Sequence, residues 1–488
     1  MIKLSDGIMI GRVCATFLMW AAFAIVLPAQ TTAVVALPAQ TTAVVTFTTL
    51  HSFDGTDGEA PHAVLVQGTD GNFYGTTYYA GGSNNCIGGC GTVFSITPDG
   101  TLTTLHSFNG TDGGNPVAGL VQGTDGKFYG TTTQGGANTC PEGFGCGTVF
   151  SITSAGILTT LHSFEGADGD TPSGGLVQGI NGRFYGTTSG GGPHADGTVF
   201  SVTTGGVLTT LHNFDGTDGN GPEAALIEGK NGKLYGTTSA GGANLNSGTV
   251  FSITKSGTLT TLYSFCSATN CTDGAYPTAP LVQGTGGKFY GTTFYGGANN
   301  KGTIFCITAE GTPTTLHTFD GADGANPGAL VRGTDGAFYG TAGGGDNEGN
   351  GTVFSITAGG ILTTLHSFNG TDGDLPNGPI QGTDGMFYGT TQGGGGNLEG
   401  TVFGLSVGLG PFVETNPVAS KVEATVTILG TDLTGATKVT FHGIAATFTV
   451  VSSSEITTTV PAGATTGTVK VVTPGGTLSS NVPFQVLP

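Results

Sequence analysis

One phrase recurs seven times along this chain: Phe-Tyr-Gly-Thr-Thr, with its Tyr at 74, 129, 185, 235, 290, 339 and 388. Repeat four has Leu234 in place of the Phe, and repeat six has Ala342 in place of the last Thr. Successive copies lie 55, 56, 50, 55, 49 and 49 residues apart. A unit of this length is one supersecondary element that cannot bury its apolar face alone, so neighbouring copies must stack.

Repeat two shows what the unit is. Leu120-Val121-Gln122 (strand a) is followed by Thr124-Asp125-Gly126-Lys127 and then by Phe128-Tyr129-Gly130-Thr131-Thr132 (strand b). Asp-Gly between two apolar runs is a strong hairpin signal, because a tight turn needs residues that accept positive φ. Thr148-Val149-Phe150-Ser151-Ile152 (strand c) and Leu158-Thr159-Thr160-Leu161-His162-Ser163 (strand d) follow, joined by a short Gly-containing turn. β-Branched and aromatic residues alternate with small ones, and no helical periodicity intervenes. Each unit therefore reads as four short antiparallel strands, a propeller blade.

The array opens at 46–53 with a d strand that has no a, b and c before it. It ends at 401–407 with a c strand that has no d after it. The two ends are predicted to pair and close a seven-bladed β-propeller, which removes exposed sheet edges. The alternative, an open solenoid, requires capping repeats.

Composition agrees with a folded array. The 488 residues include 92 Gly, 29 Phe and 12 Tyr, and only 9% are charged. The net charge of -19, with 13 Lys+Arg, argues against nucleic acid and anionic membranes as partners. Lys3, Arg12 and an apolar run from Val13 to Leu27 make 1–29 a candidate signal peptide, and 30–45 a linker. An uncleaved N-terminal anchor is the alternative; no later stretch is apolar enough to span a bilayer. Secretion or display at the cell surface follows as the expected location, with a monomeric state.

In an up-and-down blade the d–a and b–c connections share one face. The b–c loop has eight or nine residues in repeats three to seven, but 13 (78–90) and 14 (133–146) in the first two. The d–a connection is expanded at 266–280. All expansions thus fall on one face, where binding is expected. Each contains a cysteine pair: Cys86 and Cys90, Cys140 and Cys146, Cys266 and Cys271. Three local disulfides are expected, and Cys306 reads as a small buried residue.

Candidate ligand contacts on this face are Tyr78, Tyr79, Phe144, Phe294 and Tyr295, with Arg332 as a departure from the strand a pattern. Strand a otherwise ends in Gln67, Gln122, Gln178, Glu228, Gln283 and Gln381, a polar ring expected along a channel. Asp54 and Asp57, Asp215 and Asp218, and Asp320 and Asp323 are candidate Ca²⁺ ligands three residues apart, although Asp also makes turns unaided. His51, His106, His162, His212, His317 and His366 repeat in strand d, with Tyr263 in repeat five, which points to packing plus one hydrogen bond. No catalytic constellation stands out; the non-repeated polar residues noted are Glu142, His194, Glu228, Arg332 and Glu348. No cofactor other than Ca²⁺ is suggested.

Beyond 408 the pattern breaks. Short strands around Val426, Val439, Phe448, Ile456, Val469 and Phe484 suggest a small β-sandwich. Pro417, Ile428-Leu429-Gly430, Val439-Thr440-Phe441 with Gly443, Ile456 to Pro461, Gly467 and Phe484 resemble an IPT/TIG domain over 411–488. That resemblance implies an immunoglobulin-like spacer or interaction module. The Gly-Thr-Val-Phe, Leu-Thr-Thr-Leu-His-Ser-Phe and Phe-Tyr-Gly-Thr-Thr blocks over 46–408 are similar to the GloVer (choice-of-anchor) tandem-repeat family of exported bacterial proteins. This implies export and surface association but no reaction. The leading expectation is a surface binding scaffold for a glycan or surface protein. The alternatives are a polysaccharide-acting enzyme with its site at the channel mouth, and a non-catalytic architectural protein.

Overall fold

The computed structural model describes residues 44–488 apart from 83–84, 87, 141–142, 144 and 345–348. The expected signal peptide and nearly all of the expected linker lie outside the described residues, as do Phe144, Glu142 and Glu348. The fold is all-β; two three-residue 3-10 turns, Thr269–Cys271 and Thr285–Gly287, are the helical elements among the described residues. No helix there is long and apolar enough to cross a membrane.

Each repeat forms one antiparallel sheet in the order a-b-c-d. In repeat one the strands are Val66–Gln67, Phe73–Thr77, Thr92–Ile96 and Leu102–Ser107. Between c and d the register slips by one residue, with Val93 opposite His106 and Phe94 opposite Thr104. Such a bulge re-aims the residues beyond it. The first strand, Thr46–Ser52, supplies the d strand of repeat seven: Thr46 lies opposite Ser406 and Ser52 opposite Thr401. Repeats six and seven differ in one respect that sequence did not reveal. Their d–a segments themselves join the sheet, as Ala325–Arg332 and Asp374–Pro376.

Strand b sits at the centre of packing, and all five of its residues are buried in repeat one. Its glycine is required by space. A Cβ on Gly75 would lie 2.6 Å from Phe94 Cζ and 2.8 Å from Leu65 Cδ2. The aromatic pair before it joins successive sheets. Tyr74 stacks on Phe128 at 3.9 Å, Tyr129 on Phe184 at 4.0 Å, Tyr290 on Phe338 at 4.1 Å and Tyr339 on Phe387 at 4.0 Å. Where repeat four has Leu234, that side chain shares a core with Tyr185. The series continues from repeat seven to repeat one, with Tyr388 4.0 Å from Phe73.

The C-terminal segment forms two four-stranded sheets and a parallel pair, Ala419–Lys421 with Gln485–Leu487. Alternating residues such as Val426, Ile428, Val439, Phe441, Ile456, Val471 and Phe484 fill one shared core. This segment touches the a–b turn end of the repeats. Ser454 Oγ donates to Thr69 O at 2.9 Å, Asn416 Nδ2 to Gln122 O at 3.4 Å, and the Thr383 and Thr431 hydroxyls meet at 2.9 Å.

Candidate functional site

Three recurring side chains explain how the repeats hold their ends in place. The strand d histidine bonds the second acid of the following cluster: His51 Nε2 to Asp57 Oδ2 at 2.7 Å, His162 to Asp168 at 2.7 Å and His317 to Asp323 at 2.6 Å. On strand d of repeat four Tyr263 Oη does the same with Asp273 at 2.6 Å. The first acid of the cluster caps the turn. Asp54 Oδ1 accepts from Thr56 N at 2.9 Å and from Thr56 Oγ1 at 2.6 Å. Those bonds hold the Asp54 and Asp215 carboxyls below the ordinary aspartate range, the side-chain bond from Thr56 or Thr217 being the largest cause. Asn109 makes the same pair of bonds, to Thr111 N at 2.9 Å and Thr111 Oγ1 at 2.7 Å, so this turn needs an oxygen and not a charge. In the same way Asp215 and Asp320 accept from Thr217 N and Ala322 N, and Asp218 and Asp323 accept from His212 and His317.

The strand a glutamines bond between neighbouring repeats. Gln122 Oε1 accepts from Thr69 N of the preceding repeat at 3.0 Å, and its Nε2 donates to Gly126 O of its own a–b turn at 3.2 Å. Gln178 and Thr124, Gln381 and Thr334, and Gln67 and Thr383 repeat this clamp, the last joining repeats one and seven. Glu228 keeps the acceptor half, from Ile180 N at 3.2 Å, and pairs with Lys255 Nζ at 2.5 Å. Arg332 cannot accept at all. It lies opposite Phe338 at the a–b turn end of its strand, the end away from the long loops. Its expected place on the long-loop face is therefore corrected: strand a runs from that face toward the opposite one, and Arg332 is its last residue.

The long-loop end holds a cavity of about 750 Å³, walled by residues of all seven repeats. Its floor is mostly Ala, Val, Leu, Gly and Pro. Its polar groups come chiefly from one position, the residue after the proline of each d–a segment. That residue is His62, Val117, Ser173, Glu223, Thr278, Gly328 and Asn377 in turn, and all seven line the cavity. No two are alike, and the residue before the proline varies as well, as Ala60, Asn115, Thr171, Gly221, Tyr276, Asn326 and Leu375.

His62 is half-buried, with its ring 5.0 Å from Tyr78. Burial pulls its imidazole below the ordinary histidine range, so it is neutral at pH 7. Glu223 remains open to solvent inside the cavity. The protein around it pushes its carboxyl above the ordinary range, against a hydrogen bond from Ser239 Oγ at 3.2 Å. Asn377 Nδ2 donates to Pro61 O at 2.6 Å and to Thr390 Oγ1 at 2.9 Å, and its Oδ1 accepts from Gln392 Nε2 at 3.1 Å.

Of the aromatic residues expected at the site, Phe294 lines the main cavity. Tyr78 lines an adjoining cavity of about 300 Å³ that shares Val117 and Ser173 with it. Tyr78 meets Tyr79 edge-on at 4.5 Å, and Phe294 meets Tyr295 at 4.8 Å. These two pairs belong to repeats one and five and form no common platform. Disulfides join Cys86 to Cys90, Cys140 to Cys146 and Cys266 to Cys271, and Cys306 is free and buried. Cys140, Cys146 and Asp170 converge, and no other such group of potential metal ligands is found among the described residues. The two sulfurs are bonded to each other, so they offer no thiolate.

Residues 37–246, 139–342 and 226–445 each match the profile of the Gloeobacter/Verrucomicrobia repeat, and together they span most of the chain. The chain belongs to that repeat family. Residues 414–486 of this Gloeobacter/Verrucomicrobia repeat protein match the IPT/TIG domain. No curated protein matches it. Among solved structures it is similar to a streptogramin B lyase, with 16% identity, TM-score 0.50 and coverage of 74% of this chain and 97% of the other. It is also similar to a fungal alcohol oxidase of the AA5 family in complex with copper, with 14% identity, TM-score 0.51 and coverage of 91% and 99%. At these identities the likeness shows a propeller-like fold alone. The three disulfides and the repeat and IPT/TIG modules fit an exported protein with an adhesion-type scaffold.

Proposed function

We propose that this protein is an exported binding scaffold. Residues 46–408 form a seven-bladed β-propeller shut by the first strand, and 411–488 form an immunoglobulin-like spacer or second contact. The proposed signal peptide spans 1–29 and the linker 30–45. The ligand enters the cavity at the long-loop end. One observation carries this reading: the residues that follow all seven d–a prolines line one cavity, and His62, Ser173, Glu223, Thr278 and Asn377 among them give it polar groups.

A wall of small apolar residues set with His62, Ser173, Glu223, Thr278 and Asn377 suits a small polar ligand with apolar faces, of which a sugar unit is the leading class. A glycan array probed with the mature protein, with and without Ca²⁺, tests this against Glu223→Ala and Asn377→Ala. Binding that both variants abolish supports the cavity. Binding that neither variant changes sinks it.

A second reading has its own support. His62 and Glu223 line one cavity whose walls lower the imidazole and raise the carboxyl, so each favours its uncharged form there. Release of reducing ends from a polysaccharide, lost in both His62→Ala and Glu223→Gln, would establish an enzyme. Turnover surviving either change would exclude this pair.

A further inference from the structure

The charge of the repeats is divided between their two ends. Of the basic residues between 46 and 407, only Lys301 lies at the long-loop end; the others sit on or beside a–b and c–d turns. They concentrate in repeats three to five, as Arg183, Lys230, Lys233, Lys255 and Lys288.

The acids of this end are removed in the same three repeats. In repeats one, two, six and seven the a–b turn carries an aspartate that takes a hydrogen bond from the strand b tyrosine. Tyr74 Oη donates to Asp70 at 2.6 Å, Tyr129 to Asp125 at 2.8 Å, Tyr339 to Asp335 at 2.9 Å and Tyr388 to Asp384 at 2.6 Å. Repeats three and four have Asn181 and Asn231 at that place, and repeat five has Gly286. The two asparagines keep the contact, Asn181 Nδ2 to Tyr185 Oη at 2.9 Å and Asn231 Nδ2 to Tyr235 Oη at 2.7 Å. The bond is retained and the negative charge is discarded. Two acids remain at this end of the three repeats: Glu228, which is paired with Lys255, and Glu310, on the c–d turn of repeat five.

The surface is open. Lys230 and Lys288 are exposed. The C-terminal segment makes its side-chain hydrogen bonds to the turn ends of repeats seven, one and two, the turns that kept their aspartates. A chain of net charge -19 thus keeps a cationic arc beside its C-terminal domain.

We infer that the turn end of repeats three to five binds an acidic polysaccharide. The cations occupy equivalent places on consecutive sheets and do not converge on a point. That arrangement suits an extended polymer bearing one carboxylate or sulfate every sugar or two. Duplex DNA presents a charge about every 1.7 Å and demands a denser Lys/Arg surface than this arc provides. The inference stands apart from the cavity, which faces the other way.

The test is retention of the mature protein on immobilised polygalacturonate, with dextran as neutral control and a NaCl gradient. The wild type is expected to bind at low salt and to elute as salt rises. Lys230→Gln/Lys233→Gln/Lys288→Gln is expected to bind on the order of tenfold more weakly with an unchanged unfolding midpoint. Lys301→Gln, at the other end, is expected to bind as the wild type does. Lack of retention at low salt overturns the inference, as does equal binding by the triple variant or equal loss in Lys301→Gln. Tighter binding of single-stranded DNA than of polygalacturonate would overturn the polysaccharide assignment. Because cavity ligands are scored with Glu223 and Asn377 variants, the two proposals fail independently.

Discussion

The first strand is held to its sheet by side chains and ladder bonds alone, with no hairpin tying it to its neighbour. Phe47 is its anchor. The ring lies flat on His366 at 3.7 Å with planes 3° apart, and reaches Phe368 and Phe403 at 5.5 Å each. Removing a half-buried phenylalanine with such ring partners costs about 2–3 kcal/mol, below the range for a fully buried one. The equivalent residue in repeat one is Leu102, whose strand is tied to Thr92–Ile96 by a five-residue turn closed by Thr97 and Thr101. Loss of Phe47 should therefore act on local opening, because the strand can leave without unfolding anything else. Loss of Leu102 should act on global stability, because its strand cannot diffuse away. In native-state hydrogen exchange, Phe47→Ala is expected to speed the amides of 401–406 by roughly 30- to 150-fold while leaving 148–152 unchanged. Leu102→Ala is expected to give no such localised gain at 92–96. If the 401–406 amides in Phe47→Ala exchange at the wild-type rate, the first strand does not close the array and the reasoning fails.

Other outcomes follow from the same contacts. Glu223 has a folded-state pKa raised by burial, so relative to a neutral isostere its favourable contribution is complete below the unfolded value and is lost as pH rises through the folded one. Glu223→Gln should thus raise the denaturation midpoint at pH 7, with the gap closing below about pH 4; a variant less stable than wild type at pH 7 refutes this. Asp125→Asn should change stability by less than about 0.5 kcal/mol, whereas Asp125→Ala, which strands the Tyr129 hydroxyl, should lose about 1–3 kcal/mol in urea unfolding. Gly75→Ala drives a methyl group into Phe94 and Leu65 and should cost about 1–3 kcal/mol or more; an unchanged unfolding midpoint would show that repeat one is looser than described.

The architecture was readable because each blade repeats the same steric requirements. Phe-Tyr-Gly-Thr-Thr reports a close-packed central strand, and the incomplete ends at 46 and 401 report how the last sheet is finished. The histidine contacts were readable too, since Tyr263 could only stand in for a ring with one polar partner. The cavity was not. His62 and Glu223 look like members of a variable loop, and nothing local says that seven such loops meet. The usable signal was the proline before them: a Cβ on Gly91 would lie 2.9 Å from Pro116 Cδ, so this proline is pinned against the preceding sheet and aims the next residue inward. Arg332 misled for a related reason. It was judged by its difference from glutamine, while its height along strand a placed it at the far end.

The cavity wall separates two tasks that most proteins must settle with the same atoms. The six side chains at its variable positions, the seventh being Gly328, project from backbone held by the histidine, threonine and glutamine contacts. Altering any of them other than Asn377, which itself bonds Pro61 O, leaves those contacts intact, so specificity can drift at little risk of misfolding. Such a frame behaves like a lock with several separately settable pins, and sister proteins sharing its skeleton are free to open to different keys.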